Sequence, residues 1–484
     1  MTLFERVDAP DEAAAISLPN FIERDDSFDA IVLGAGISGL VSAAVLREQG
    51  AERILVVDEY PAVGGNHLDR QIGGYTFDLG SLIFQDDSPL VERFPELLDS
   101  YVAIDPSWSR LTPQAIVTEY PFSMHDDIVA AGPVEWVRMA ASLAWSRLRY
   151  RHHNNARDFA YYWVGARMAH RTGLEHYMER FCGVPAEQVD IAFARSRMMW
   201  IAEHARIGKQ LAALRAKLGK TPPAAPWRRN TQLVRPRTGF ADLYAPVVQR
   251  MESEGTWFHL DTTLIGIDRD GVGDEAEFTL RLSDGTFRAP RIVSTVPIDT
   301  AMRLIGMEHE PLPTVTLISL FYSFAGDRRF GEPILYNFSQ NGAWKRLTVY
   351  SDFYGPHDGR EFFTVEVVAG TDVSTVDDAA AEFRQHTTAN GLFDGDLRLE
   401  GSHILQHTYP VFVHGSEQRA AASIAALREF GIVSLGKQGG FDYQPTARVS
   451  TIHAERRLAA DPLPVAQPAA ATEPAPPAHP RSVL

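Results

Sequence analysis

Three glycines that follow a short apolar segment constrain the fold more than any other feature of this sequence. Residues 29–34 read DAIVLG, which is typical of a buried parallel strand. The chain then completes the pattern G-x-G-x-x-G with Gly34, Gly36 and Gly39. The first glycine permits a tight turn, the second lets the backbone approach a pyrophosphate, and the third lets the next helix pack closely. The pattern predicts a helix over about 38–49 whose N-terminus faces the pyrophosphate.

A second strand and an acidic residue complete a predicted dinucleotide-binding unit. The strand, over 53–57, ends at Asp58, which lies 22 residues after Gly36. At this spacing a carboxylate accepts hydrogen bonds from ribose hydroxyls. The glycines alone would also fit a simple glycine-rich turn. The order of strand, glycines, helix, strand and acid predicts dinucleotide binding.

The residues after Asp58 resemble a known flavoprotein superfamily. The run 59–66 reads EYPAVGGN, and the run 73–81 reads GGYTFDLGS. Both resemble motifs of the superfamily that contains amine oxidases, phytoene desaturases, protoporphyrinogen oxidases and UDP-galactopyranose mutases. In that superfamily a Gly-Gly pair, six residues after the acid, lies beside the flavin. The matching pair in this chain is Gly64 and Gly65.

Four later segments extend the resemblance to about residue 460. They are the turn at 233–239, the strand around Leu264, the strand end at 292–297 and the glycine-rich segment 436–443. The resemblance implies an α/β fold, with a doubly wound, Rossmann-like FAD-binding domain, an inserted helical part and an antiparallel-sheet substrate part. It also implies FAD as the cofactor. The residues implied to bind FAD are Gly34, Gly36, Ile37, Ser38, Gly39, Asp58, Glu59, Gly64, Gly65, Asn66, Gly80, Ser81, Leu82, Leu264, Gly436, Gln438 and Gly439.

The same comparison suggests where the parts of the chain begin and end. The FAD-binding domain is expected to be discontinuous and to consist of residues 28–85, 230–300 and 400–460. Residues 86–229 are assigned to a helical substrate or cap part, and residues 301–399 to a sheet substrate part.

The composition of the two ends predicts appendages rather than parts of the core. Residues 1–27 carry seven acidic and two basic side chains and are expected to form a flexible acidic arm. Residues 461–484 hold seven prolines among many alanines and are expected to form a disordered tail. The start of the chain lacks a basic-then-apolar signal pattern, so we expect a cytoplasmic protein. The single cysteine, Cys182, excludes an intramolecular disulfide and Cys-based metal clusters.

Further motifs resemble the UDP-galactopyranose mutase branch more than the amine oxidases. Asn66 stands where amine oxidases usually have arginine, and segments 119–122 and 407–412 are similar to strand motifs of the mutases. The mutases also carry two histidines near the flavin. Leu82 and Gln85 stand at those positions here, which argues against unmodified mutase chemistry.

Two arginines fall near positions that bind the substrate diphosphate in the mutases. Arg195, with Arg197 as a second choice, lies near the position in the helical insert, and Arg346 lies near the position on a sheet strand. The planar guanidinium binds phosphate oxygens through two hydrogen bonds, although a surface salt bridge is the alternative role for each arginine. Tyr409 and Tyr443, in segments that resemble the mutases, complete the predicted substrate-binding residues.

The resemblance is more specific for the cofactor than for the reaction, so three functions stay open. The first is an FAD-dependent oxidoreductase that transfers a hydride from a small, anionic substrate to the flavin N5. The second is a non-redox sugar isomerase similar to UDP-galactopyranose mutase, which uses reduced FAD. The third is a non-catalytic binding protein with a flavoprotein fold. No residue is predicted as a catalytic acid or base, and no metal site is predicted.

The distribution of charge suggests two kinds of anionic partner. The net charge of −16 argues against general nucleic-acid binding. Eleven lysines and arginines nevertheless lie between Arg195 and Arg237 with one acidic residue among them. This block would attract an anionic substrate such as a nucleotide sugar, or form a solvated helix face. A helix over about 134–150 combines Trp136 and Trp145 with arginines, a pattern found both in membrane-surface helices and in many soluble helices.

Overall fold

The computed structural model describes residues 26–80, 83–198, 231–271, 273, 276–370 and 373–462. The predicted arm as far as residue 25 and the predicted tail from residue 463 lie outside these residues. So do Ser81, Leu82 and the part of the basic block from 199 to 230.

The described strands, in chain order, are β1 (Ala30–Leu33), β2 (Ile54–Val57), β3 (Asp69–Ile72), β4 (Tyr75–Asp78), β5 (Phe84–Gln85), β6 (Val102–Ile104), β7 (Trp108–Leu111), β8 (Val117–Glu119), β9 (Gln232–Val234), β10 (Thr256–His259), β11 (Leu264–Asp270), β12 (Glu277–Leu282), β13 (Thr286–Ala289), β14 (Ile292–Ser294), β15 (Leu317–Arg328), β16 (Ile334–Asn337), β17 (Trp344–Val349), β18 (Glu361–Val368), β19 (Phe393–Leu405) and β20 (Ile432–Ser434).

The described α-helices, in chain order, are α1 (Ile37–Glu48), α2 (Pro89–Arg93), α3 (Pro133–Arg149), α4 (Ala156–Val164), α5 (Ala166–Thr172), α6 (Leu174–Cys182), α7 (Ile191–Arg197), α8 (Phe240–Ser253), α9 (Ile298–Leu304), α10 (Ser351–Tyr354), α11 (Val376–Ala389), α12 (Ser416–Phe430), α13 (Gly436–Gly439) and α14 (Ala447–Ala459). Short 3-10 turns span Pro95–Leu97 and Val129–Ala131, and a π-helical turn spans Met124–Ile128.

A parallel sheet contains the predicted dinucleotide unit. Its described strands lie in the order β10-β2-β1-β14-β20, and all neighbouring strands are parallel. Alternate residues of β1 enter two different cores, because the strand is covered on both faces. Val32 packs with residues of α1 and α14, whereas Ile31 packs with residues of α9 and α12. The predicted doubly wound α/β fold is therefore confirmed.

The order of these strands determines where a ligand can enter. From β1 the chain passes through α1 to β2 on one side, and it returns much later to β14 on the other side. The C-terminal end of β1 therefore lies at the point where the strand order reverses. In open α/β sheets the ligand crevice forms at this point, and the loop with Gly34 and Gly36 begins there.

A second, mostly antiparallel sheet stands beside the first. Its described strands lie in the order β19-β15-β18-β17-β16-β7-β8. Two of them, β7 and β8, come from the region assigned to the helical part, and β19 continues to Leu405. This sheet contacts the chain after β4, because the Tyr350 hydroxyl donates to the Gly80 carbonyl at 2.9 Å and the Thr364 hydroxyl donates to the Asp78 carbonyl at 2.8 Å.

A buried ion pair joins the β3–β4 hairpin to the turn before α8. The Arg235 guanidinium pairs with the Asp78 carboxylate, and their side chains are 0% and 3% exposed. Arg235 also donates to the carbonyl oxygens of Thr76 at 2.8 Å and Pro236 at 2.7 Å. This member of the basic block therefore stabilises the fold and fixes the chain that leads to Gly80.

Helices α3 to α6 pack against one another in sequence, and α6 joins them to the antiparallel sheet. Helix α3 packs against α4 and α5, and α6 packs against β17 and β18. Within the described ranges, no helix combines the length and the apolar character that crossing a bilayer would require.

Candidate functional site

A cavity of about 540 Å³ opens at the C-terminal edge of the parallel sheet. It extends from Asp58, at the end of β2, past the glycine loop after β1, to Arg346 on β17 and Lys437 on α13. The predicted cofactor residues that line it are Gly34, Gly36, Ile37, Ser38, Asp58, Glu59, Gly64, Gly65, Asn66, Leu264 and Gln438.

The glycine loop leaves space for a ligand because its backbone segments pack without side chains. A Cβ atom at Gly39 would lie 1.9 Å from the Gly34 carbonyl oxygen, and one at Gly65 would lie 2.8 Å from the Gly36 Cα. Gly34 also has a φ of +98°, which side-chain-bearing residues rarely adopt. Helix α1 starts after Gly36 without a side-chain cap, so its first N–H groups are available to an anion.

Asp58 connects the end of β2 to the glycine loop. One carboxylate oxygen accepts a hydrogen bond from the Ala35 N–H at 2.6 Å, and the other accepts one from the Tyr60 N–H at 2.9 Å. Burial raises the pKa of this carboxyl, although the backbone N–H groups oppose the change. Each oxygen retains a further lone pair, so Asp58 can also accept from a ribose hydroxyl in the cavity.

Two buried polar atoms in the cavity wall have no partner among the described residues. They are the side-chain amide nitrogen of Gln438 and the side-chain carbonyl oxygen of Gln444. An unpaired buried polar group is costly, which suggests that a bound molecule satisfies these two. A flavin ring offers both hydrogen-bond acceptors and a donor. Together with the glycine loop and Asp58, these residues fit the predicted FAD.

A bulge in β17 brings two neighbouring cations to one carboxylate at the far end of the cavity. The register between β17 and β18 shifts between Trp344 and Arg346. As a result, the Lys345 ammonium lies 2.9 Å from one oxygen of Glu366, and the Arg346 Nε donates to the other oxygen at 2.6 Å. Burial opposes the ionisation of Glu366, but Arg346 and Lys345 outweigh it and lower its pKa.

Lys437 adds a third positive charge to this end. Its ammonium has no hydrogen-bond or ion-pair acceptor in the part of the chain that the structure describes. Burial, together with the charge of Lys345, lowers the pKa of Lys437 to about 8. The neighbouring His67 stays neutral, because burial and Lys437 lower its pKa to about 3. Glu366 thus pairs with Arg346 and Lys345, while Lys437 adds a positive charge at the same end of the cavity, so this end favours an anion.

The remaining predicted cofactor residues lie around the cavity rather than in its wall. A Cβ atom at Gly436 would lie 2.9 Å from the Ser38 hydroxyl oxygen, and one at Gly439 would lie 2.8 Å from the Ser294 carbonyl oxygen. Gly39 packs behind the loop, as described above. Gly80 lies beside Glu366 and Arg346. Ser81 and Leu82 are outside the described residues.

The predicted substrate residues occupy different parts of the molecule. Arg346 lines the cavity. Tyr409 is buried, and its hydroxyl donates to the Phe181 carbonyl at 2.8 Å and accepts from Lys345 at 3.2 Å. The Tyr443 ring lies 6.4 Å from the Phe181 ring. Arg195 is exposed on α7 and is not in the cavity wall, while the side chain of Arg197 is outside the described atoms. Arg195 therefore does not share the cavity wall with Arg346.

Gln85, at one of the two positions where the mutases have histidines, also lines the cavity. Its side-chain oxygen accepts from the Arg448 Nε at 3.1 Å, and Arg448 pairs with Asp87. A neutral amide held by an arginine thus occupies this position.

Sequence reasoning missed Lys437, Lys345 and Glu366 as parts of the site. Lys437 stands in the glycine-rich segment 436–443, between the predicted cofactor residues Gly436 and Gln438. Its position there was the sequence signal that could have placed it in the site. Lys345 and Glu366 lie on different strands, and only the strand register shows that they meet.

Comparison with known proteins agrees with the predicted unit and fold. The family model described as "NAD(P)-binding Rossmann-like domain" matches residues 32–96. Prolycopene isomerase 2, chloroplastic, from an Oncidium hybrid cultivar is 45% identical over 62 residues, which is 13% of this chain and 10% of that protein. The match thus spans about a tenth of the length of this curated relative.

Two solved structures match nearly the whole described fold. The crystal structure of reduced UDP-galactopyranose mutase has a TM-score of 0.67 at 16% identity and covers 89% of this chain and 94% of its own. Wild-type putrescine oxidase bound to putrescine has a TM-score of 0.54 at 12% identity and covers 90% and 98%. The chain therefore shares the fold of these two proteins, as its motifs predicted. The names of these relatives are those of enzymes, namely an isomerase, a mutase and an oxidase.

Proposed function

We propose that this chain is an FAD-dependent oxidoreductase that removes a hydride from a carbon–hydrogen bond of a small, anionic substrate. One observation carries the proposal: a single cavity joins the glycine loop and Asp58 to an end lined by Arg346 and Lys437. A dinucleotide and a small anion can therefore bind next to each other in one cavity. Bound FAD would supply the hydride acceptor, N5 of the flavin.

The cofactor would be held by groups that differ along the cavity. The first turn of α1 and the loop around Gly36 suit the pyrophosphate, and Asp58 suits the ribose. Gln438 and Gln444 offer an unpaired donor and an unpaired acceptor for the flavin ring. This division assigns the remaining cationic end to the substrate.

The cations at that end would bind and orient the substrate. Glu366 is shared by Lys345 and Arg346, so this group of three keeps one positive charge, and Lys437 adds another. A carboxylate or phosphate on the substrate would neutralise them. The rings of Phe181 and Tyr409 lie 5.1 Å and 4.9 Å from the Lys345 ammonium and exclude water from its side of the site. Exclusion of water strengthens the attraction of an anion.

A mutase-like reaction receives less support from the same residues. Arg346 is available in the cavity wall, but Arg195 is exposed elsewhere, and Gln85 is bound to Arg448. Among the described side chains, the diphosphate clamp expected for a nucleotide sugar therefore lacks the arginine predicted at Arg195, while the side chain of Arg197 lies outside the described residues.

The test begins with the purified full-length protein. We expect a flavin absorption spectrum and release of FAD on acid treatment. A panel of small carboxylates and phosphate esters should then include compounds that bleach the bound flavin without oxygen and drive uptake of oxygen or a dye acceptor. Arg346→Met should raise KM for such compounds by roughly tenfold or more, as expected for loss of a charged hydrogen bond. Arg281→Met, which removes an exposed arginine outside the cavity, serves as the matched control and should leave KM unchanged.

Two results would overturn the proposal. Reduced protein that interconverts UDP-galactopyranose and its furanose form, without net consumption of an acceptor, would favour the isomerase. A protein that neither retains nor takes up FAD would exclude both reactions and favour a non-catalytic role.

A further inference from the structure

The side of helix α3 that faces the protein carries two serines beside Met139 and Leu143, and its exposed side is largely apolar. Ser146 is buried, and its hydroxyl accepts a hydrogen bond from the Ala166 N–H at 3.2 Å. The Ser142 hydroxyl accepts one from the Arg167 N–H at 3.1 Å, and the same arginine pairs with Glu135. A surface helix in water normally has the opposite orientation, with apolar residues facing the core. The outward side of α3 is therefore unusual.

That outward side is a continuous apolar stripe. Val134, Val137, Trp145 and Leu148 are 67%, 70%, 66% and 60% exposed. With the exposed Ala141 between them, they follow the spacing of three and four residues that places side chains on one face of a helix. From its first to its last member the stripe extends about 21 Å along the helix.

The turn before α3 enlarges this surface. Met124 and Val129 are 66% and 54% exposed. The turn lies against the helix, because the Trp136 indole N–H donates to the Ile128 carbonyl. We call the stripe and these two residues the α3 face.

Three arginines border the helical part of the α3 face, although the whole chain has a net charge of −16. In the turn, the carboxylate of Asp126 accepts hydrogen bonds from the Thr118 and Ser123 hydroxyls. Arg138, Arg149 and Arg151 are exposed on or just after the helix. The acidic residue of the helix, Glu135, is already bound by Arg167 and lies 3.7 Å from Arg138. A second copy of the chain that paired through the same face would bring these arginines together, which opposes self-association. An anionic surface complements them.

We propose that the α3 face docks this protein on an anionic lipid bilayer, with α3 lying in the plane of the headgroups. The apolar side chains would enter the boundary between headgroups and acyl chains, where exposed tryptophans such as Trp145 are favoured. Arg138, Arg149 and Arg151 would contact lipid phosphates. The residues of the α3 face line neither the cofactor cavity nor the smaller cavity around Asn155, so no groove for an extended peptide runs along them among the cavities found.

The proposal is tested by sedimentation of the full-length protein with vesicles. We expect binding to vesicles of equal parts phosphatidylcholine and phosphatidylglycerol, and much weaker binding to phosphatidylcholine alone. Loss of one arginine, as in Arg149→Gln, should weaken binding about fivefold at low salt. The double variant Val137→Glu, Trp145→Glu should abolish binding. Because both side chains are exposed, the double variant should fold normally, which circular dichroism checks.

A matched control carries the same chemical change at another exposed apolar position. Ile265→Glu, at a residue of β11 that is 52% exposed, should bind vesicles like the unmodified protein. As a second readout, the fluorescence of the unmodified protein should shift to shorter wavelength with anionic vesicles, and Trp145→Phe should reduce that shift.

Three outcomes would overturn the proposal. The first is no binding to anionic vesicles, and the second is an equal loss of binding in Ile265→Glu. The third is an unmodified protein that is a dimer and does not bind vesicles, with a double variant that is a monomer. The last would assign the α3 face to a second copy of the chain instead of a bilayer. None of these outcomes depends on whether the protein oxidises an anionic substrate.

Discussion

Replacement of Lys437 by methionine should stabilise the protein without its ligands and weaken its binding of anions. The substitution keeps an unbranched side chain of similar length and removes the ammonium. The reason lies in the pKa of Lys437, which burial and Lys345 lower from 10.5 to about 8. At neutral pH Lys437 is therefore still charged, and its charged form is less stable in the folded protein than in the unfolded chain.

The size of both effects follows from this pKa. A tenfold change in a proton affinity corresponds to about 1.4 kcal/mol, so the cavity disfavours the charged form by roughly 3 kcal/mol. Lys437→Met should raise the free energy of unfolding of the cofactor-free protein at pH 7 by up to about this amount. An anion that raised the pKa of Lys437 back to its ordinary value of 10.5 would gain the same free energy on binding. Lys437→Met should therefore bind that anion up to about a hundredfold more weakly.

The pH dependence distinguishes this explanation from a packing effect. Between pH 8 and 10.5 the unfolded chain keeps its proton on Lys437 while the folded protein has released it. The free energy of unfolding should therefore rise with pH through this range in the unmodified protein, and Lys437→Met should lack that contribution. Anion affinity should fall over the same range, because binding needs the charged form.

The assays are urea unfolding of the cofactor-free protein and titration of the FAD-bound protein with phosphate or acetate, followed by flavin absorbance. Lys437→Arg is the matched control, because it keeps the charge and should keep the anion affinity without the loss above pH 8. The reasoning would be refuted if Lys437→Met were less stable than the unmodified protein and bound these anions equally well.

Two further substitutions test the loop and the buried ion pair. Gly39→Ala should abolish retention of FAD, because its Cβ would clash with the Gly34 carbonyl oxygen of the loop. The control Gly331→Ala, whose Cβ meets nothing within 4 Å, should retain FAD. The amount of acid-released FAD per protein chain measures both, and equal retention would contradict the role of the loop. Arg235→Met should lower the free energy of unfolding by about 3–5 kcal/mol because it leaves Asp78 buried without its cation. Loss of the exposed Arg281 in Arg281→Met should cost less than about 1 kcal/mol, and similar urea midpoints for the two variants would rule out the structural role of Arg235.

The dinucleotide unit was predictable because its requirements are local. A tight turn needs glycine at Gly34, close helix packing needs glycine at Gly39, and the acid follows at the end of the next strand. These constraints act between residues that are near in sequence, so their spacing is visible in the chain itself. The superfamily resemblance extended the same information to distant segments such as 436–443.

The orientation of α3 was not predictable in the same way. The sequence shows a helix with apolar residues and arginines, and such a helix usually packs its apolar side inward. Ser142 and Ser146 reverse this arrangement, because their hydroxyls accept hydrogen bonds from the N–H groups of Arg167 and Ala166, the first two residues of α5. A periodic pattern indicates which residues share a face, but only the neighbouring elements decide which face is covered.

The sequence by itself determined the βαβ unit, its glycine loop and the acid at the second strand, because backbone conformation and residue spacing specify them. Only the tertiary structure decided the charge at the other end of the cavity. Lys345 on β17 and Glu366 on β18 meet because a bulge shifts the register of these strands, and Lys437 on α13 lies close enough to Lys345 for the two charges to interact. Electrostatic interactions depend on distance and burial, and neither can be read from separations of tens of residues along the chain.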